Sequence, residues 1–121
     1  MGASAILVTS NSGKNMLLDA GVRVNEEGSE MLPNLEPLNS VSLDAIIISH
    51  AHLDHSGALP LVAKVSPGAG LYATAATKDL AKVLLYDSIK VAEFREGLQL
   101  FDADDAEQAL DRICLLYTSP S

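Results

Sequence analysis

The chain has 121 residues, one domain's worth on the usual span of roughly 100–200 residues per domain. Hydrophobic residues make up 48%, which excludes wholesale disorder, and no apolar run approaches the roughly 20 residues a membrane helix needs. Sixteen Asp+Glu against eight Lys+Arg leave a net charge of −8, so the bulk basic surface of a nucleic-acid binder is absent, although a local groove or another part of a longer protein could supply one.

Ala5-Ile6-Leu7-Val8-Thr9 predicts a strand, because it is short, apolar and rich in branched residues. Asn11-Ser12-Gly13-Lys14 signals a turn, and Asn15 to Asp19 predicts a second strand ending in Ala20-Gly21, together a β-hairpin. Arg23 to Ser42 has little periodicity and predicts an irregular connection. Ala45-Ile46-Ile47-Ile48-Ser49 is an uninterrupted apolar run, which predicts a strand buried on both faces. Leu59 to Val65 predicts a short helix with Pro60 in its first turn, where a missing N–H is harmless. After a turn at Pro67-Gly68, Leu71 to Thr74 predicts a strand. Thr77 to Val91 predicts a helix with Leu80, Val83, Leu84 and Val91 on one, core-facing side, ended or interrupted at Glu96-Gly97. Asp102 is a candidate helix cap, with Ala106, Ala109, Leu110 and Ile113 following at helical spacing and the acids between Asp102 and Asp111 forming a solvated face. Alternating strands and helices predict an α/β or α+β fold.

The two ends carry their own signals. Met1 is followed by Gly2-Ala3-Ser4 without a basic region, so no secretory signal is visible and a cytoplasmic location is expected. The single cysteine cannot form an internal disulfide, which fits a reducing compartment. The last eight residues, Cys114 to Ser121, look foreign: the DNA string TGT CTC TTA TAC ACA TCT, which resembles the transposase end of sequencing-library adapters, translates to Cys-Leu-Leu-Tyr-Thr-Ser. The native domain is therefore expected over 1–113, and 114–121 is expected to be adapter read-through.

All three histidines of the chain fall within six residues, in His50-Ala51-His52-Leu53-Asp54-His55. In an extended stretch, residues i and i+2 point to one side, so the imidazoles of His50 and His52 can converge on one ion. Asp54 and His55 follow where the chain should turn and can reach a second, adjacent position. Imidazole nitrogen and carboxylate oxygen suit zinc, and also manganese or iron. The cluster lies where a buried strand hands over to a loop, and the small Ser56, Gly57 and Ala58 let the backbone bend tightly. A chance surface loop or a tag is the bland alternative, but a tag would carry neither the interposed Asp nor the preceding apolar strand.

Ile48-Ser49-His50-Ala51-His52-Leu53-Asp54-His55-Ser56-Gly57 resembles the signature of the metallo-β-lactamase superfamily. The resemblance implies the amino-terminal half of an αββα sandwich, incomplete in this chain. It also implies that His50 and His52 bind one metal and that Asp54 and His55 bind a second. Two zinc ions are expected in the full protein. Leu17-Leu18-Asp19-Ala20-Gly21 resembles the family's earlier acidic motif, which implies that Asp19 lies beneath the metals and orients the ligand loop without ligating. Ala58-Leu59-Pro60-Leu61, the segment Leu71 to Leu80 and the acidic helix start after Phe101 resemble the β-CASP branch, which processes RNA or DNA. By that resemblance the full protein is a ribonuclease acting on phosphodiesters, with Asp54 both ligand and orienter of the attacking water. RNA would be met through regions outside this chain, and no membrane is involved. The family pattern further implies a third His, a bridging Asp, a final His and a cap domain beyond Ile113, so the chain by itself is expected to bind metal weakly and not to hydrolyse efficiently. Two other classes remain: another hydrolase of the superfamily, of the glyoxalase-type thioesterase or lactamase kind, and a non-catalytic subunit of an RNA-processing complex.

Overall fold

In the computed structural model, residues 4–23, 38, 41–94 and 100–116 are described. The chain opens with the hairpin β1 (Ile6–Thr9) and β2 (Asn15–Leu18), antiparallel with Leu7 opposite Leu17. The turn between them closes through Ser10 N–H to the Lys14 carbonyl at 2.8 Å and uses Gly13 at φ +87°, a conformation glycine adopts without side-chain penalty. The expected connection over 23–42 and the expected helix end at Glu96-Gly97 fall almost wholly outside the described residues. Next come β3 (Ala45–Ile47), the single turn α1 (Leu53–Ser56), α2 (Leu59–Val65), β4 (Gly70–Thr74), α3 (Ala75–Phe94), α4 (Ala103–Arg112) and β5 (Ile113–Leu116).

The five strands form one sheet in the order β1-β2-β3-β4-β5, parallel from β2 onward. Parallel neighbours need crossovers, and right-handed crossovers along one direction set their helices on one side of a sheet. Leu17, Ile46, Leu71 and Ile113 stand side by side in register and are all buried against that helical layer. They join Leu59, Val62, Leu85, Ile89, Ala106 and Leu110 in one core. The neighbouring row, Ile6, Leu18, Ile47, Tyr72 and Cys114, runs along the opposite face, from exposed at Ile6 and Cys114 to half-buried between. Among the described residues nothing covers that apolar face, as expected of one half of a sandwich whose other sheet would pack there. The lone aromatic of the row, Tyr72, lies over Gly70, where an added Cβ would meet its ring.

Two expectations about burial need correction. The run from Ala45 to Ser49 is not buried on both faces: Ile46 and Ile48 are buried, Ala45 and Ile47 are half-buried, and Ser49 is exposed. The open second face is the cause. The predicted core stripe of α3 also points the wrong way. Leu80, Val83 and Val91 are exposed at 58%, 64% and 41%, and Leu84 is half-buried. Ala81, Leu85 and Ile89, four residues apart, face the core instead. The helix carries two apolar stripes, and only packing chooses between them.

Helix α4 starts as its sequence predicts. Asp102 accepts the Asp105 N–H at 2.8 Å, and Asp105 accepts the Asp102 N–H at 3.2 Å, a reciprocal cap that satisfies two otherwise orphaned donors. Its other end is tied down by Arg112, whose guanidinium donates to the carbonyls of Ala63, Ser66, Pro67 and Ala69, fixing the end of α2 to the entrance of β4. Cys114 to Leu116, the start of the tail expected to be foreign, continue β5 beside Tyr72 to Thr74. Ladder bonds use backbone groups alone, and an apolar segment after Ile113 is enough to meet them.

Candidate metal centre

The histidine cluster sits where ligands bind in open α/β sheets, beyond the carboxyl ends of adjacent parallel strands. β2 delivers Asp19 and β3 delivers Ser49 and His50 to that edge, 30 residues apart in sequence for Asp19 and Ser49. Asp19 adopts φ +66°, a left-handed conformation that Asp tolerates better than most side chains. That geometry is held by its N–H donating to the Ile47 carbonyl at 2.8 Å, and it turns the carboxylate under the loop. The side chain is buried. One oxygen accepts the Ser49 N–H at 2.7 Å, and both lie within 2.9 Å of the Ser49 hydroxyl. Oδ2 also holds His55 Nδ1 at 2.8 Å. One carboxylate thus grips the loop at both ends.

The backbone adds a second set of ties. Ser4 N–H donates to the Asp54 carbonyl at 2.8 Å, Ala20 N–H to that of His55 at 2.8 Å, and Val22 N–H to that of Leu53 at 2.9 Å. Ala58 N–H returns to the Ala20 carbonyl at 2.7 Å. The buried Ser56 hydroxyl closes the turn on the Ala51 carbonyl at 2.7 Å. These contacts need backbone against backbone. A Cβ on Gly21 would collide with the Asp54 carbonyl and leave no room for the His55 amide. Gly57 has an ordinary helical φ of −65°, so conformational freedom is not its role; the Val22 side chain fills the space where its Cβ would stand. No buried side-chain polar atom among the described residues lacks a partner.

Above this base, the rings of His50 and His55 lie with centroids 4.7 Å apart, tilted by 37°. His55 Nε2, the nitrogen turned away from Asp19, faces Asp54 Oδ2 at 3.7 Å. Two donors on one zinc, each about 2.0–2.2 Å away at a tetrahedral angle, stand roughly 3.3–3.6 Å apart. The Asp54–His55 pair therefore fits a shared ion with a small side-chain shift. His52 behaves differently from its expectation. β3 ends at Ile47, so no extended strand carries His50 and His52 to one side; His52 is the exposed N-terminal boundary residue of α1, at φ −58° and ψ 147°. No contact joins its ring to the other three. Among the described residues no three His, Cys, Asp or Glu side chains gather as a complete metal site. The donor chemistry fits a metal, and the convergence is that of a partial site.

Sequence reasoning passed over two residues of this centre. Ser49 stood in the motif with no role, and Gly21 stood only as a strand end. The signal for both is the pairing of β2 with β3, which a linear pattern does not display.

A half-layer of parallel sheet backed by helices, with a histidine–aspartate loop clamped at its carboxyl edge, defines an α/β protein built around a loop of residue types that suit a metal. The chain belongs to the metallo-β-lactamase superfamily, whose profile matches residues 1–109. It is 34% identical over 102 residues to the cleavage and polyadenylation specificity factor subunit 3-I of Arabidopsis thaliana, covering 84% of this chain and 15% of that protein. It is 38% identical over 102 residues to the endoribonuclease ysh1 of Schizosaccharomyces pombe, covering 84% and 14%. A probable RNase, MJ4 of Methanocaldococcus jannaschii, is 37% identical over 111 residues, covering 91% and 25%. The first two belong to the β-CASP branch, so the resemblance read from the sequence is borne out at that level. The chain spans a quarter or less of the length of each of these three relatives. Membership of the superfamily implies a metal cofactor. No helix among the described residues is long and apolar enough to cross a membrane.

Proposed function

We propose that this chain is the amino-terminal part of the catalytic domain of a metal-dependent ribonuclease that hydrolyses RNA phosphodiesters. The observation that carries the proposal is the Asp19 clamp. A buried carboxylate bonded to Ser49 and His55 holds the His-x-His-x-Asp-His loop in place, in a chain whose relatives are named as an endoribonuclease and a probable RNase. His50 and His52 would hold one ion and Asp54 and His55 another, with zinc favoured by the imidazole and carboxylate donors and manganese or iron also suited to them. When bound, such ions supply an activated water near neutral pH and offset charge on the phosphate oxygens.

The chain's own residues have distinct tasks in this scheme. Asp54 would ligate and would accept a hydrogen bond from the attacking water, orienting it. His55 keeps Nε2 for the ion because Asp19 occupies Nδ1. Ser4, Ala20 and Val22 hold the loop's carbonyls and so fix the donors' spacing. The ligand set is incomplete within this chain, and the remaining donors would come from the rest of a longer protein, along with the basic surface that a net charge of −8 does not provide. In the same scheme residues 114–121 are adapter read-through, the native sequence continues differently after Ile113, and the protein works in the cytoplasm.

Long-read sequencing of the source locus across codon 113 tests the first part. The expected frame continues into further His and Asp residues. The protein so recovered, incubated with zinc and RNA, should release fragments, and a Asp54→Ala variant should not. A stop codon directly after Ser121, or an intact protein that leaves RNA whole, overturns the proposal. Hydrolysis of a thioester or a lactam in place of RNA would move the protein to another branch of the superfamily.

A further inference from the structure

The Asp19 clamp extends one residue further than His55. The Ser49 hydroxyl lies 2.9 and 2.8 Å from the two Asp19 oxygens and 3.0 Å from Nδ1 of His50. A hydroxyl has one proton to donate and lone pairs to accept with, whereas a carboxylate only accepts. The Ser49 proton must therefore point at Asp19; otherwise two oxygens would face each other at 2.8 Å with no proton between them. Its lone pair is left for His50, and Nδ1 of His50 must be the donor. The same logic applies to His55, whose Nδ1 faces Asp19 directly at 2.8 Å and must also carry the proton. In a neutral imidazole, a proton on Nδ1 leaves the lone pair on Nε2.

We propose that Ser49 is a positioning residue: held by Asp19, its hydroxyl fixes the His50 ring with the proton on Nδ1 and the Nε2 lone pair free for a ligand, so that one buried carboxylate sets two imidazoles at once. Asp19 acts on His55 by direct contact and on His50 through Ser49. The Ser49 amide, bonded to the same carboxylate at 2.7 Å, keeps the hydroxyl in place. His52 is exposed, has no such tie and is the internal reference. The purpose of the device rests on the metal proposal above; its geometry does not.

The test uses the 121-residue chain, freed of metal with a chelator and labelled with 15N at histidine. Only three histidines are present, so a long-range 1H–15N spectrum at about pH 8, where imidazoles of ordinary pKa are neutral, reads each ring's tautomer separately. His50 and His55 should both show the proton on Nδ1. In Ser49→Ala, His50 should lose that pattern while His55 keeps it; Ser49→Thr, which restores the hydroxyl, should return His50 to it. A wild-type His50 protonated on Nε2 overturns the proposal without any variant. An unchanged His50 in Ser49→Ala overturns it as well. Should Ser49→Ala fail to fold, the wild-type and Ser49→Thr spectra decide, since loss of the pattern with the hydroxyl present is fatal to the idea. Zinc titration of the same samples gives the second readout: Ser49→Ala should bind roughly 10- to 100-fold more weakly, and Ser49→Thr close to wild type. If both wild-type rings carry the proton on Nδ1 and the chain takes up no zinc, the role of Ser49 stands, and zinc uptake by the longer protein, which supplies the remaining donors, decides the metal proposal.

Discussion

The loop from Ser49 to Ala58 and the helix α3 are held in place by opposite means. The loop buries few large side chains, yet its backbone and polar groups are tied to segments far away in sequence, to Ser4 and to Asp19–Val22. Helix α3 is 20 residues long and owes its placement to one apolar face, Ala81, Leu85 and Ile89, while Leu80, Val83 and Val91 stand in solvent. Hydrogen bonds are directional and fix atoms to within tenths of an ångström; apolar burial is not directional and fixes a face. Donors that are to share an ion, as proposed for this loop, need the first kind of support. A helix that closes a core needs only the second.

The contrast can be broken at its strongest point by Asp19→Ala. The Ser49 amide and hydroxyl and the His55 ring lose their acceptor together, so urea unfolding should show a loss of roughly 3–5 kcal/mol, the sum of two or three bonds to a charged group. A loss under about 1 kcal/mol would mean that the backbone ties alone hold the loop. Next in size is Leu85→Ala on the inner face of α3, expected to cost about 2–4 kcal/mol through lost burial and a cavity. Its partner measurement, Leu80→Ser on the outer face, should stay within about 0.5 kcal/mol. Equal effects at the two positions would show that another layer covers the outer stripe.

Gly21→Ala tests the backbone half of the loop's support. The added Cβ must push the Asp54 carbonyl away, at a cost of about 1–3 kcal/mol, and the amide resonances of Asp54 and His55 should shift more than those of α3. The smallest effect concerns acid. The backbone hydrogen bond at the cap, helped by Lys64 at 3.4 Å, holds the Asp105 carboxyl below its ordinary value of 3.8. A carboxyl lowered by folding contributes stability that is complete above that ordinary value and is lost as pH falls through the lowered one. Helical circular dichroism followed from pH 5 downward should therefore show part of its loss missing in Asp105→Asn. The same slope in both proteins would remove Asp105 from the account.

The hairpin, the helix Leu59–Val65, the cap at Asp102 and the donor tract from His50 to His55 were legible because each is written in neighbouring residues: alternation, a turn glycine, a proline in a first turn, an acid before a helix. Asp19 was legible only by resemblance to a family motif. Ser49 and Gly21 were not, since their roles exist only once β2 and β3 lie side by side and bring residue 19 to residue 49 and residue 21 to residue 54.

The sequence by itself determined the class of fold, the donor types and the family, because periodicity, chemistry and motif spacing are properties of the linear chain. Only the tertiary structure decided which stripe of α3 faces the core, that one face of the sheet stays open among the described residues, that His52 makes no ring contact with His50, and that one carboxylate holds both Ser49 and His55. Each of those depends on which segments become neighbours, and hydrogen bonds and packing act between neighbours in space.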